Sequence, residues 1–312
     1  MIDLCTLGTG GTMPLHTRAL ASLYVRNGKQ ALLVDCGEGT QVEIGRLGWG
    51  FQRLDALLIS HFHADHCSGV PGFLLALTKA QREAPFHIYG PPGLRRVIEG
   101  LRVIAPTLTF PVELHEFSWP GDKGESGNKE ECFEAAGLRI TAFPLNHGMP
   151  CFGFRFELPR PGAFRAEAAR TLGIPVRAWS ILQRGEPVED WRPEQVMGPE
   201  RPGIRFLYAT DTRPVPAIAR MGEGTQLMIL EGMYGEEGDL PKALKNRHML
   251  FREAAQLARE AGTRRLVLTH FSTSLDDPAA FLPEAQRVFP DTVCAADGMT
   301  FSLGWPREEG ED

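Results

Sequence analysis

No apolar run in the 312 residues approaches the twenty or so that a membrane span needs. Met1-Ile2-Asp3-Leu4 also lacks the basic character that opens a signal peptide, so a cytoplasmic protein with no membrane association is expected. Cysteine is sparse. The six residues Cys5, Cys36, Cys67, Cys132, Cys151 and Cys294 show no Cys-x-x-Cys spacing, which points away from a disulfide framework and from a zinc finger. Positive charge is in deficit: a formal net charge of −6 argues against indiscriminate nucleic-acid binding, although it leaves room for a local basic patch. Repeats and low-complexity tracts are missing, apart from the acidic end Arg307-Glu308-Glu309-Gly310-Glu311-Asp312, which reads as a solvated tail. The glycines of Gly8-Thr9-Gly10-Gly11-Thr12 allow a tight loop, but no Gly-Lys-Ser/Thr accompanies them, and a P-loop is a poor reading.

With 43% hydrophobic and 23% charged residues, the chain can bury a full core, and residues 1–312 fit one large α/β domain carrying an insertion. Its most informative stretch is Leu57-Leu58-Ile59-Ser60-His61-Phe62-His63-Ala64-Asp65-His66. An apolar run of strand length empties into a polar turn, and such turns deliver side chains to a sheet edge, where catalytic groups often sit. His61 and His63 lie two apart and can share a side, while Asp65 and His66 turn toward a second position. Imidazole and carboxylate without thiolate suit zinc, or failing that manganese or iron. A solvated loop of this composition would rarely follow a hydrophobic strand and precede an apolar helix such as Pro71-Gly72-Phe73-Leu74-Leu75-Ala76-Leu77. The motif resembles His-x-His-x-Asp-His of the metallo-β-lactamase superfamily, where it carries a two-metal hydrolytic site.

Further strands are read at Ile2 to Leu7, at Ala21 to Val25 and Ala31 to Val34 around an Asn27-Gly28 hairpin turn, and at Phe86 to Tyr89. A helix is read around residues 94–104, and another strand at 112–117. His87 and His115 stand within apolar strands, where a packed structural role is expected. Asp35 follows a strand and precedes a glycine turn, so it is expected to orient a ligating histidine rather than to ligate. Residues 118–131 read as a polar loop. Three distant residues share one property with the central motif: His147, Asp211 and His270 each stand at the end of an apolar strand. If those ends converge, His61, His63 and His147 hold one ion, Asp65, His66 and His270 hold a second, and Asp211 bridges them. Two zinc ions roughly 4 Å apart share a hydroxide and stabilise both attacking and leaving oxygens in an in-line displacement. Glu231 and His248 remain. A carboxylate orienting an imidazole holds a general acid ready for a departing alkoxide, unless His248 is an ordinary residue at a helix start.

Between residues 158 and 202 periodicity lapses, and prolines alternate with Arg160, Arg165, Arg170, Arg177, Arg184 and Arg192. Such a stretch is either disordered or a functional protrusion, and its arginines favour a protrusion that touches something anionic. A helix at 251–261, a helix at 277–288 and a strand at 292–296 complete the pattern of sheets covered by helices.

Over nearly its whole length the chain resembles the ribonuclease Z family of tRNA 3′-processing endoribonucleases. The resemblance is carried by Leu7-Gly8-Thr9-Gly10-Gly11, Asp35-Cys36-Gly37-Glu38-Gly39-Thr40-Gln41, the central motif continued through Cys67-Ser68-Gly69-Val70-Pro71-Gly72, Ile88-Tyr89-Gly90-Pro91-Pro92-Gly93, Asn146-His147-Gly148, Ala209-Thr210-Asp211-Thr212-Arg213-Pro214, Leu230-Glu231 and Leu268-Thr269-His270-Phe271-Ser272. It implies a four-layer αββα metallo-β-lactamase sandwich with a protruding arm, two zinc ions per subunit, and a homodimer acting on precursor tRNA. The implied ligands fall on His61, His63, Asp65, His66, His147, Asp211 and His270, with Asp65 as proton acceptor and Glu231 with His248 as proton donor. Residues 158–202 then form the inserted tRNA-binding arm, residues 161–187 bearing the likeness, and Arg165, Arg170, Arg177 and Arg184 are expected to contact tRNA. Two positions depart from the family pattern. Val176 follows Pro175 where the arm usually carries Gly-Pro, and Met249-Leu250 follow His248 where Ser-Thr is usual.

The leading expectation is therefore a zinc-dependent endoribonuclease that removes 3′ trailers by metal-hydroxide attack and leaves a 3′-hydroxyl on the tRNA. An alternative keeps the site and changes the substrate to a small phosphodiester or another ester. A third, from a different class, is a tRNA-binding or scaffold protein with a damaged site, which the presence of all the candidate ligands disfavours.

Overall fold

The structure, a computed structural model, describes residues 1–119 and 130–306. Most of the polar loop expected at 118–131, and the acidic tail from Arg307, lie outside the described residues. Runs that are mostly apolar form β1 (Ile2–Gly8), β2 (Ser22–Asn27), β3 (Gln30–Val34) and β4 (Leu54–Leu58), and apolar residues alternating with polar ones form β5 (Phe86–Gly90) and β6 (Val112–Glu116). A second set follows: β7 (Glu131–Ala135), β8 (Leu138–Pro144), β9 (Phe152–Arg160), β10 (Arg201–Ala209), β11 (Leu227–Glu231), β12 (Leu266–Thr269) and β13 (Thr292–Cys294). The last strand, β14 (Met299–Leu303), returns to pair with β1.

Two seven-stranded sheets result, in the orders β14-β1-β2-β3-β4-β5-β6 and β13-β12-β11-β10-β9-β8-β7. Each is antiparallel in one half and parallel in the other: β3 to β6 run parallel, and so do β10 to β13. Alternate residues divide between two environments. Leu23, Val25, Leu32, Val34 and Leu58 meet Ile140, Phe154, Phe156, Phe206 and Ile229 between the sheets. The opposite faces pack under helices, Leu33, Leu57 and Ile88 against Ile44, Phe73 and Ile98, and Leu207, Met228 and Leu268 against Ile218, Phe251 and Ala255. These three apolar layers make the four-layer αββα sandwich expected from the sequence. Because all the parallel strands of a half point the same way, their C-terminal ends open onto one edge, the usual place for a site in parallel sheets.

Three features differ from the sequence reading: two added strands, a split helix and the arm. β7 and β14 were not expected; both are edge strands whose outward positions carry polar groups such as Glu134 and Ser302. The helix expected at 277–288 is split into a 3-10 turn, Pro278–Phe281, and a short helix, Leu282–Gln286, because Pro278 and Pro283 cannot donate to a continuous ladder. The arm is the third. β9 and β10 extend through Arg160 and from Arg201, so the insertion proper is shorter than 158–202. It is folded: helices Ala166–Thr171 and Val176–Gln183 bury Ala169, Ile174, Ala178, Leu182 and Val196 against Phe164, Trp179, Val188 and Trp191.

Candidate metal centre

Every sequence-predicted ligand lies just beyond a strand or on the turn that follows one. His61 and His63 leave β4, Asp65 and His66 open the short helix Ala64–Cys67, His147 follows β8, Asp211 follows β10 and His270 follows β12. Asp211 and His270 adopt left-handed backbone, φ 58° and 57°, as does Asp35 after β3, φ 58°. Asp and His tolerate that region better than most residues, and the sharp turn it makes aims the side chain across the strand ends.

The ligand atoms converge in two groups. His63 Nδ1 lies 3.0 Å from His61 Nε2 and 3.2 Å from His147 Nε2, with Asp211 Oδ1 3.8 Å from His61 Nε2. His66 Nε2 and His270 Nε2 are 3.1 Å apart, 3.2 and 3.3 Å from Asp211 Oδ2, and each 3.5 Å from Asp65 Oδ2. Asp211 thus offers one oxygen to each group. A tetrahedral ion with metal–nitrogen bonds of ~2.1 Å holds its ligand nitrogens about 3.4 Å apart, which matches these spacings. Asp211 Oδ2 is buried without a hydrogen-bond partner among the described residues, a cost that a cation removes.

Charge fits the same reading. Burial holds His61 far below the usual imidazole value and His147 at about 4, so both rings keep free lone pairs at neutral pH. Burial opposes charge on His66 as well, but Asp211 and Asp35 outweigh it and push its value well above the usual range, and the same negative field draws a metal cation to this position in place of the proton. Burial likewise works against ionisation of Asp65 and Asp211, yet the facing rings of His270 and His66 keep both carboxylates well below their usual range. The donor set, histidine and aspartate with buried negative charge, is that of a divalent-metal centre. It floors a cleft of about 510 Å³ whose rim includes Thr12, Tyr234, Asn246, His248 and Ser272. His63 alone of the seven is exposed, at the cleft mouth.

His248 stands beside the cluster with Nδ1 2.8 Å from Glu231 Oε2, while Glu231 Oε1 accepts the Thr212 N–H. Arg165, Arg170, Arg177 and Arg184 are exposed on the arm, where Arg177 and Arg184 face Glu189 and Glu186 and Arg170 lies over Trp179.

Comparison with known proteins agrees with this geometry. Residues 2–154 match the family described as Anti-Pycsar protein Apyc1, and residues 163–271 match the Beta-lactamase superfamily domain. The Ribonuclease Z of Lachnospira eligens is 42% identical over 312 residues, covering 99% of this chain and 100% of that protein. The chain belongs to the ribonuclease Z family. A second Ribonuclease Z, from Lachnoclostridium phytofermentans, is 41% identical over 313 residues, with 99% and 100% covered. Among solved structures, human tRNase Z, short form, superposes with a TM-score of 0.70 at 23% identity, covering 97% of this chain and 99% of that one. The metallo-β-lactamase fold protein YhfI from Bacillus subtilis gives 0.70 at 20% identity, with the same coverage. The fold is the metallo-β-lactamase fold.

Around the centre of this ribonuclease Z family member, Asp35 stands as expected from the sequence, whereas Ser60, Thr12 and Arg213 escaped sequence reasoning. Asp35, expected to orient a histidine, accepts from the Ser60 N–H and lies 2.9 Å from His66 Nδ1, while Ser60 Oγ reaches Asp35 Oδ2 and His61 Nδ1, each at 3.0 Å. Ser60 sits directly before the motif, which is the signal that could have found it. Thr12 donates its N–H to Asp65 Oδ2 at 2.7 Å. Arg213 clamps the segment that carries His248: it donates to the His248 carbonyl and makes a two-pronged ion pair with Glu253, which also accepts the Leu250 N–H. Leu250 offers no side-chain acceptor at the start of the helix Phe251–Ala261, as the departure at this position implied, and Glu253 supplies half of the missing cap.

Two glycines let backbones close on the site. A β-carbon on Gly11 would stand 2.7 Å from His270 Cε1, so the bare backbone packs the ring whose Nδ1 has no partner among the described residues. A β-carbon on Gly69 would lie 1.9 Å from the Gly37 carbonyl oxygen, where the Asp35 loop is laced to the motif through Gly69 N–H to Cys36 O and Cys36 N–H to His66 O. Gly69→Ala is expected to destabilise the fold by about 3 kcal/mol, visible as a lowered urea midpoint. An unchanged midpoint would show that the two loops can part at no cost.

Proposed function

We propose that this protein is a zinc-dependent endoribonuclease that removes 3′ trailers from precursor tRNA in the cytoplasm, cleaving a phosphodiester so that the tRNA keeps a 3′-hydroxyl. The observation that carries this reading is the placement of Asp211 between two ligand groups, three histidines on one side and Asp65, His66 and His270 on the other, with His248 beside them. Two ions fit such a set, one per group. When bound, they supply Lewis acidity toward the phosphate and make water a competent nucleophile at neutral pH.

The chain's own groups do the rest. Asp65, oriented by the Thr12 N–H and nine-tenths buried, accepts the proton released as water attacks. His248, charged through its contact with Glu231, gives a proton to the departing oxygen of the trailer. Arg213 holds the His248 backbone from behind, so the ring meets the scissile bond in one orientation. Asp35 and Ser60 fix the tautomers of His66 and His61.

The arm supplies the grip on RNA as a folded exosite built within residues 158–202 of a single-domain chain. Its exposed arginines reach a backbone whose shape, rather than sequence, is read. A homodimer presents the arm of one subunit to the active site of the other. Val42 and Leu75 support this, as large apolar side chains left exposed on two neighbouring helices, Thr40–Leu47 and Val70–Lys79.

Trailer-bearing precursor tRNA is the decisive substrate. Chelation should abolish cleavage and zinc should restore it; turnover of bis(p-nitrophenyl) phosphate with none on precursor tRNA would move the assignment to small phosphodiesters. Replacing Arg165, Arg170, Arg177 and Arg184 together by alanine is expected to raise KM for precursor tRNA about tenfold or more and to flatten its salt dependence. Small-diester turnover should stay constant. Equal loss on both substrates would make the arm a support for the fold.

A further inference from the structure

At the β6 edge of the first sheet, three potential ligands face one another outside the catalytic cleft. β5 and β6 run parallel with His87 opposite Glu113 and Tyr89 opposite His115. Phe86, Ile88, Val112 and Leu114 pack toward the helices, so His87, Glu113 and His115 point the other way, along the open edge between the sheets. There His87 Nδ1 lies 3.2 Å from His115 Nε2 and 3.4 Å from Glu113 Oε2, and the three ligand atoms fall within 4.8 Å of one another. Tyr89 stacks on His115 with centroids 4.4 Å apart and planes at 16°, and Phe133 stacks on Tyr89 at 4.4 Å, which fixes the imidazole. The side chains of His87 and Glu113 are 36% and 49% exposed, leaving a path for an ion.

We propose that His87, Glu113 and His115 form a second, separate divalent-cation site that takes zinc or a similar borderline ion, with its remaining coordination open to water. Two imidazoles and one carboxylate are a donor set that zinc accepts, and the 3.2 and 3.4 Å separations from His87 Nδ1 suit ligands on a common centre at metal–ligand bonds of ~2.1 Å. An ion there replaces the proton shared between the two rings. Burial and the neighbouring His87 depress protonation of His115, so its lone pair is available near neutral pH. The ion would cross-link β5 to the edge strand β6 and is independent of the catalytic assignment.

The test is zinc content per chain after dialysis of the purified protein against micromolar free zinc. Wild type is expected to hold one ion more than Glu113→Gln and one more than His115→Ala, with precursor-tRNA cleavage the same in all three. The glutamine variant keeps volume and polarity at a half-exposed position, so it stays folded even where the histidine variant does not. Equal zinc content in wild type and Glu113→Gln overturns the proposal, as does an extra ion whose loss removes catalysis.

Discussion

An Asp211→Ala variant is expected to cleave precursor tRNA at least ~10³-fold more slowly, about 4 kcal/mol of transition-state stabilisation. Among the described residues, the carboxylate is the only group whose two oxygens face both ligand clusters, Oδ1 toward His61 and Oδ2 toward His66 and His270. Its loss therefore weakens both positions at once, whereas His63→Ala leaves Asp65, His66, His270 and Asp211 undisturbed. The two variants should separate in metal content: Asp211→Ala loses catalytic metal from both groups, and His63→Ala chiefly from one. A metal-binding centre also links metal to folding, so wild type should melt at a lower temperature after chelation while Asp211→Ala responds little. Retention of full metal content and activity by Asp211→Ala would remove the bridge on which the centre is built.

The parts of this centre legible in sequence were those with a local signature. His61, His63, Asp65 and His66 fall in one turn, and His147, Asp211 and His270 each announce themselves by ending an apolar strand. Strand-end placement is local, but its consequence is not, because parallel strands of one sheet collect their C-terminal ends on a single edge. What stayed hidden depends on partners far apart in the chain. Arg213 falls in a stretch that carries the family likeness, but nothing local assigns it a role until its partner Glu253, forty residues on, is placed beside it. The arm core was missed for another reason: Ala178 and Leu182 do recur at helical spacing, but Gly173, Pro175 and Gly185 interrupt the pattern within a few residues. His87 and His115 were expected to be packed. They are half-buried: one face of β5 and β6 is covered by helices, and the face that carries the two histidines is only partly covered at the sheet edge.

Glu231→Gln is expected to move the alkaline limb of the cleavage rate toward lower pH, and His248→Ala to lower kcat by about 10²- to 10⁴-fold at every pH. Burial disfavours the charged imidazole of His248, but Glu231 at 2.8 Å and Asp211 at 3.9 Å outweigh it and raise the ring to about 9. With Asp211 engaged in the metal centre, Glu231 is the carboxylate left to keep His248 charged. In the proposed mechanism His248 must be protonated when the trailer oxygen departs. Activity therefore holds below the His248 value and falls as pH rises through it. Glutamine keeps the contact to Nδ1 but not the charge, so burial regains its influence and the protonated fraction at neutral pH drops. The loss in Glu231→Gln should shrink as pH is lowered, and this rescue by acid distinguishes a lost charge from a displaced ring. It should be absent in His248→Ala, which has no proton to regain. A Glu231→Gln variant whose loss is the same at every pH would mean that Glu231 merely positions its neighbours, through Thr212 and the His248 ring, and that the proton comes from elsewhere.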